Sequence, residues 1–459
     1  MAAVRSLFAP KDLTQGTPWK RILEFTIPML IGNVVQQFYN TADSIIVGRY
    51  IGDNALAAVG SAFPILNLLL VLFVGISVGA GIIVSQYFGA KDRIQLSKAI
   101  GTSITLTALA SLIIMIVGPL VTKPLLMLLN TPPSIIDWCA DYLNIFFLGI
   151  AGFTFYNILA GILRGLGDSA SALLFLFIST VLNVVLDIWF VAGFDMGVAG
   201  VALATVIAQG ISAILCLLKL MRIKDSFELN WSMLKLNKEL SLKLIKLGLP
   251  SGLTQAIFSM AMIVVQSLTN SFGELVIACN VIVMRVDGFA MMPNFSFGSA
   301  LTTFTGQNIG GQRLDRVEEG ALTGTKIAVA TATVITIFIL LFGRYLINIF
   351  TDTAELVDLS MRMMRILAFG YIAMAVTQCL SGVMRGAGDT ITPMWISLFT
   401  TVALRIPIAY GIAYVTRSEL YPTGRPESIF ISLLISWTLG ALITFVYYRK
   451  GKWRKLDIQ

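Results

Sequence analysis

The sequence predicts an all-α integral membrane protein, with twelve transmembrane helices in two parallel six-helix bundles related by a pseudo-twofold axis. Composition, the number of long apolar runs and an internal repeat support this prediction. Of 459 residues, 56% are hydrophobic and 13% are charged, whereas an average soluble protein has about 25% charged residues. This composition excludes a soluble enzyme of ordinary type and a disordered chain.

Twelve apolar runs are long enough to cross a bilayer, which takes about 20 residues. In chain order the predicted spans are 21–48, 57–87, 96–122, 138–162, 170–193, 198–219, 243–271, 277–305, 321–348, 361–382, 392–415 and 429–448. A charged stretch precedes the first run, and no small-residue cleavage site follows a short apolar core. We therefore expect a retained helix and not a signal peptide.

The basic residues predict the orientation of these spans. Of the 33 lysines and arginines, with those near a span end assigned to the adjoining side, 24 fall on the side of the termini and even-numbered loops and 7 on the side of the odd-numbered loops, whereas Arg285 and Arg405 lie well inside spans. Because cytoplasmic loops are enriched in basic residues, both termini should face the cytoplasm from a cell inner (plasma) membrane. The same distribution leaves no basic face for nucleic acid.

An internal repeat divides the chain. The block Gly161–Ser169 recurs as Gly382–Thr390 with five of nine positions identical, and a similar offset of 222 residues relates Pro28 to Pro250. Each copy holds six spans, an even number, so the copies should lie parallel about an axis along the membrane normal. The predicted domains are an N-terminal lobe over 1–220, a cytoplasmic amphipathic connector over 221–242 and a C-terminal lobe over 243–459.

The repeated block predicts a tight turn at the cytoplasmic ends of spans 4 and 10. Its glycines permit a sharp connection between helices, and Arg164 with Asp168, or Arg385 with Asp389, would fasten the turn by local pairing. An anion-binding turn is the alternative. We favour the structural interpretation, because a ligand role seldom needs both copies, whereas turn geometry does.

Residue types that are absent exclude several kinds of site. Without histidine, the chain has no His-containing zinc site, Ser-His-Asp triad or histidine proton relay. No GxxxxGK[ST] motif occurs, so ATP is not the energy source within this chain. The cysteines show no CxxC spacing and lie in apolar surroundings, so we expect inert buried thiols. They are Cys139, Cys216, Cys279 and Cys379.

Polar residues inside the spans indicate the candidate site, because they are costly in a bilayer and usually face an interior cavity. Span 1 carries a polar stripe at spacings of three and four: Asn33, Gln36, Gln37, Asn40, Asp43 and Ser44. Span 5 adds Asn183 and Asp187 on one side of a helix turn, with Thr205 of span 6 as a hydroxyl partner. Such a set could surround a small cation or share protons. Hydrogen bonding between helices is the purely structural alternative.

The second half does not repeat the two acids. The offset of 221 to 222 residues places valine opposite Asp43 and isoleucine opposite Asp187, so coupling is predicted in the first bundle only. Asp287 of span 8 either pairs with Arg405 of span 11 or contacts substrate.

The chain resembles the multidrug and toxic compound extrusion (MATE) family over nearly its whole length, with the DinF-like branch most similar. The resemblance rests on the twelve spans in two halves, the interval Pro28–Asp43, the run Leu182–Asp187, and the paired turns Leu163–Asp168 and Met384–Asp389. Members of this family are secondary antiporters that expel organic, often cationic, drugs in exchange for sodium ions or protons.

The resemblance implies a coupling-ion site at Asp43, Asn183, Asp187 and Thr205. Asp43 and Asp187 would be metal ligands if the ion is sodium, and no other cofactor is expected. The residues predicted to line a substrate cavity are Gln36, Gln37, Asn40, Asn157, Gln255 and Asp287. Pro28 is the predicted hinge.

The predicted function is export of organic, cationic or amphiphilic compounds by ion-coupled alternating access. We expect a monomer that contacts membrane lipid and uses neither ATP nor nucleic acid. One alternative is a flippase of lipid-linked saccharides, which would need a cationic central cavity. The other is a membrane-embedded lipid-modifying enzyme, which would need catalytic polar residues in an interface loop. Acids at the cavity positions favour the antiporter.

Overall fold

The structure, a computed structural model, describes residues 8–46, 50–51, 53–129, 131–223, 225–230 and 232–455, without the side chains of 40–45, 53–57, 60, 63–64 and 455. No β-strand occurs among these residues. The helices are α1 (Pro18–Ile46), α2 (Asp53–Gly89), α3 (Arg93–Leu128), α4 (Ile136–Leu148), α5 (Ile150–Gly165), α6 (Ser169–Ile188), α7 (Gly197–Arg222), α8 (Lys238–Ser271), α9 (Glu274–Gly310), α10 (Leu314–Asn348), α11 (Ala354–Ala368), α12 (Gly370–Gly386), α13 (Ile391–Leu398), α14 (Arg405–Val415) and α15 (Glu427–Lys450). Two π-helical turns, Trp189–Gly193 and Phe399–Leu404, follow α6 and α13.

The apolar helices agree with the predicted spans. Among the described residues, nine helical segments are long and apolar enough to cross a membrane, and two bent pairs raise the number to eleven. The pairs are α4 with α5, bent by 51°, and α11 with α12, bent by 41°. The more polar α1 occupies the first predicted span. The all-α, twelve-helix fold is thus confirmed, whereas the bends were not predicted, because no proline marks them.

Contacts divide the chain into two compact units. The first unit consists of Met1–Leu13 and Ile27–Gly252, and the second of Thr14–Thr26 and Leu253–Gln459. The sequence placed the domain boundaries at 220 and 243 instead. The difference arises because the connector and the first half of α8 pack within the first unit, whereas the start of α1 packs within the second.

The connector packs against α3. Its described residues between α7 and α8 contain no helix, and its amphipathic, cytoplasmic character stays a prediction. Leu234 O accepts a hydrogen bond from Thr105 Oγ1 at 2.6 Å. A Cβ on Gly101 would lie only 2.0 Å from Met233 O, which shows that glycine permits this close approach. Phe227 is buried within the unit, and its apolar surface is therefore covered by protein.

The repeated glycines have the same packing role in each unit. A Cβ on Gly161 of α5 would lie 2.4 Å from Ser77 Oγ of α2, and one on Gly382 of α12 would lie 2.2 Å from Gly298 O of α9. These contacts are related by the sequence offset, so the duplication is also present in the packing. Gly167 and its counterpart Gly388 have φ values of 84° and 98°, which favour glycine and produce the predicted turn.

The predicted ion pairs within the two turns are wrong. Asp168 caps α6 by accepting hydrogen bonds from Ser171 N at 2.9 Å and Ser171 Oγ at 2.7 Å, and it lies 3.7 Å from Lys219 Nζ. Asp389 likewise accepts from Thr392 N at 3.0 Å. Both carboxylates are directed at the unsatisfied N–H groups of the following helix. Neither pairs with the arginine of its block in the described part of the chain.

Candidate functional site

Three of the four predicted coupling residues lie together in the first unit. Asn183 and Asp187 of α6 are both 0% exposed. In the amide orientation that satisfies both neighbours, Asn183 donates to Asp187 Oδ2 at 3.1 Å and accepts from Thr205 N and Oγ1, each at 3.3 Å. We call Asn183, Asp187 and Thr205 the α6–α7 cluster. It combines a buried carboxylate with an amide and a hydroxyl.

The local sequence explains how α6 and α7 meet. Asn183 and Asp187 are four residues apart and therefore share one helix face. A π-helical turn begins two residues after Asp187, and such turns are frequent at functional sites. The chain then reverses through Asp195 and Gly197, whose φ values are 53° and 57°. This short connection places Thr205 beside the polar face of α6.

Tyr39 of α1 extends the cluster. Its hydroxyl donates to Thr205 Oγ1 at 3.5 Å, and the side chain is 9% exposed. Sequence analysis did not identify Tyr39. Its position four residues before Asp43 was the available signal, since that spacing places both on one face. The side chains of Asn40 and Asp43 lie outside the described residues.

The predicted substrate-cavity residues are distributed over both units. Gln36 and Gln37 are partly buried in the first unit. There, Asn157 Nδ2 donates to Phe153 O at 2.8 Å. Gln255, in the second unit, is exposed. Whether these residues form one substrate cavity stays a prediction.

The predicted hinge Pro28 lies within the continuous helix α1. Its role as a hinge stays a prediction.

Asp287 belongs to a separate buried group in the second unit. Its carboxylate lies near the Tyr371 hydroxyl and the Arg405 guanidinium, all three residues are buried, and the Tyr371 hydroxyl makes no hydrogen bond with the described residues. No direct ion pair joins Asp287 to Arg405 within the described chain, and Arg405 Nη1 instead contacts Met262 Sδ at 3.6 Å. The interaction predicted between this acid and arginine is therefore electrostatic and not a direct contact. Sequence analysis did not identify Tyr371.

The repeated helices and the buried α6–α7 cluster define a multi-pass membrane protein of the transporter class, with its candidate coupling group inside the first unit. The chain belongs to the MatE family, the MATE transporters, because the MatE family model matches residues 28–189 and 250–411. The two matched segments start 222 residues apart, which agrees with the internal repeat.

Individual relatives match along nearly the whole chain. The probable multidrug resistance protein YpnP of Bacillus subtilis (strain 168) is 30% identical over 449 residues, covering 97% of this chain and 98% of its own. YoeA of the same organism, also named a probable multidrug resistance protein, is 29% identical and covers 91% and 92%. A crystal structure of a MATE in the bent conformation has a TM-score of 0.88 at 26% identity, covering 95% and 96%.

These comparisons confirm the family and the two-lobe, twelve-helix fold. Membership of a transporter family excludes the enzyme alternative. The DinF-like branch stays a prediction, as do the roles assigned to individual residues.

Proposed function

We propose that this chain is a secondary antiporter that exports organic, cationic or amphiphilic compounds in exchange for sodium ions or protons. The α6–α7 cluster is the observation that supports the proposal, because it places a fully buried carboxylate against an amide and a hydroxyl. The names of the relatives YoeA and YpnP, both probable multidrug resistance proteins, support efflux of drug-like compounds as the activity.

The cluster provides a means of coupling. Asn183 fixes one oxygen of Asp187 by hydrogen bonding, so the carboxylate is held in place for a cation or a proton. A ligand shifts a protein between conformations only through different affinities for them. Asp187 would therefore bind the coupling ion in one access state and release it in the other. With sodium, the oxygens of Asp187, Asp43, Asn183 and Thr205 would be ligands, whereas with protons the carboxyl group would be neutralised.

Transport in vesicles tests the proposal. The purified protein is reconstituted, and uptake of a panel of fluorescent organic cations is followed under a sodium gradient at equal pH, or under a pH gradient without sodium. We expect one gradient to drive transport and ATP to have no effect. Failure of both gradients to move any compound would contradict antiport, and movement of a labelled lipid-linked saccharide instead would support a flippase.

Cysteine labelling tests the proposed cytoplasmic termini. The four native cysteines are free and buried, so they can be replaced to give a background without reactive thiols. Single cysteines at Ala2, Ser226 and Arg454 should resist an impermeant thiol reagent added to intact cells, because the basic residues predict a cytoplasmic position. A cysteine at Ser418, in a predicted outside loop, is the matched control and should be labelled. Labelling of Ser226Cys from outside would contradict the proposed orientation.

Replacing the neutral members of the α6–α7 cluster should lower the transport rate less than replacing Asp187 does. Thr205→Ala and Asn183→Ala should each lower the coupled transport rate only several-fold, because water can replace one neutral hydrogen-bonding group. Tyr39→Phe should have a smaller effect, since its hydrogen bond to Thr205 is long, at 3.5 Å.

Ser212→Ala is the matched control for this series. Its hydroxyl joins the same two helices through Phe175 O at 3.1 Å, but it lies outside the cluster. Initial rates under the driving gradient provide the measurement. An equal loss in Ser212→Ala would indicate that helix packing, not ion binding, causes the effect.

A further inference from the structure

The arginine of the second repeat block has no acidic partner. Arg385 lies at the end of α12, and its predicted partner Asp389 instead caps the next helix. The Arg385 side chain is partly exposed, and it makes no hydrogen bond or ion pair with the described residues. The buried acid Asp287 interacts with another arginine, Arg405. Arg385 is therefore a positive charge of the second unit that no acidic side chain pairs with among the described residues.

Arg385 lines a cavity of about 40 Å³ between α8, α12, α15, and α13 with the π-helical turn that follows it. We call it the Arg385 cavity. No acidic side chain lines it. Gln378, Ser381 and Thr401 also line it and are only 8%, 7% and 3% exposed. None of these three side chains has a hydrogen-bond partner among the described residues. The cavity thus offers an amide N–H₂ group and two hydroxyls beside the guanidinium.

Other hydroxyls of the same wall are already engaged. Thr377 donates to Ala373 O at 3.1 Å, and Ser436 donates to Thr400 O at 2.7 Å. These two hydroxyls are therefore not free to turn toward a bound ligand.

We infer that the Arg385 cavity binds a small inorganic anion of about the size of chloride. A guanidinium does not lose its proton in proteins, so Arg385 keeps a positive charge at the cavity wall, and no acidic side chain of that wall neutralises it. An amide and two hydroxyls can turn their hydrogens toward an anion. The volume exceeds the roughly 10–15 Å³ that one water needs, but it is far below the roughly 300 Å³ of a drug-sized pocket.

An anion in this cavity would connect two elements of the second unit. Thr401 lies in the π-helical turn Phe399–Leu404, whereas Arg385, Gln378 and Ser381 belong to α12. Binding would therefore hold the π-helical turn against α12. This role does not depend on which ion drives transport.

Fluorescence quenching by iodide tests the inference. Trp437 lines the cavity and is 8% exposed. A variant keeps Trp437 and replaces the other six of the seven tryptophans with phenylalanine, and is placed in nanodiscs at constant ionic strength. We expect saturable quenching by iodide, loss of that quenching when chloride is added, and little quenching by caesium. Acrylamide, a neutral quencher, measures simple accessibility.

Substitution of the arginine distinguishes binding from accessibility. Arg385→Gln should abolish the saturable iodide quenching and leave acrylamide quenching unchanged, whereas Arg385→Lys should retain part of it. Arg164→Gln, the equivalent change in the first unit, is the matched control and should leave the signal unchanged. Equal iodide quenching in Arg385→Gln and its parent would overturn the inference.

A second measurement needs no substitution. If the variant with one tryptophan does not fold, crystals of the unaltered chain are soaked in bromide. An anomalous peak in the Arg385 cavity is expected, and its absence would overturn the inference. Neither measurement requires transport, so its outcome is independent of the proposed antiport.

Discussion

Replacing Asp187 with asparagine should lower gradient-driven transport by about 10- to 100-fold, the range of a typical coupling free energy. Asparagine has nearly the same shape as aspartate and can still hydrogen-bond to Asn183, but it cannot carry the negative charge. The buried carboxylate is unfavourable in a membrane by at least a few kcal/mol, so its removal should not destabilise the fold. We expect normal membrane insertion and an unchanged melting temperature, with the initial rate in vesicles providing the measurement.

Two further variants make this prediction specific. Asp43→Asn should cause a similar loss, because the resemblance assigns it to the same ion site. Asp137→Asn is the control: its side chain is 80% exposed and 3.7 Å from Lys123, so transport should be unchanged. If the Asp43 and Asp187 variants both transport at the rate of the unaltered protein, the first-unit coupling site is wrong.

The fold could be predicted because its signals are local or repeated in the sequence. Apolar runs determine which segments can cross a bilayer, and the block Gly161–Ser169 identified the duplication. The bend between α4 and α5 could not be predicted in this way. It lies at Gly149, where a Cβ would lie 2.1 Å from a methyl group of Val206. Such a contact depends on a helix more than fifty residues away.

The candidate site could be predicted only in part. Helical spacing placed Asn183 and Asp187 on one face, and the structure brings Thr205 to them. Spacing does not determine which neighbouring helix that face meets, so the contact of Tyr39 was missed. The same limitation explains the incorrect Arg–Asp pairs in the turns. Nearness in sequence suggested that each arginine pairs with the aspartate of its block. Each aspartate instead accepts a hydrogen bond from an unsatisfied backbone N–H group at the start of the next helix.

Two glycine pairs bring α2 and the first half of α8 together in the first unit. Gly75 and Gly79 face Gly248 and Gly252, and each pair has the spacing GxxxG. A Cβ on Gly75 would lie 2.4 Å from Gly252 N, and one on Gly79 would lie 2.7 Å from Gly248 N. The two helix backbones are therefore in direct contact, which is the arrangement that small residues permit in membranes.

Gly75→Ala and Gly248→Ala should each destabilise the protein by about 1–3 kcal/mol, the usual effect of overpacking. The added methyl group must push two backbones apart, and this effect should exceed the gain of up to about 1 kcal/mol in helix propensity from glycine to alanine. Moving the two helices apart once makes room for both methyl groups. The double variant should therefore lose less stability than the sum of the losses in the two single variants. Gly210→Ala is the matched control, since a Cβ there meets nothing within 4 Å. Thermal unfolding in detergent measures the effect, and equal melting temperatures for Gly75→Ala and Gly210→Ala would show that the helices are not held in this close contact.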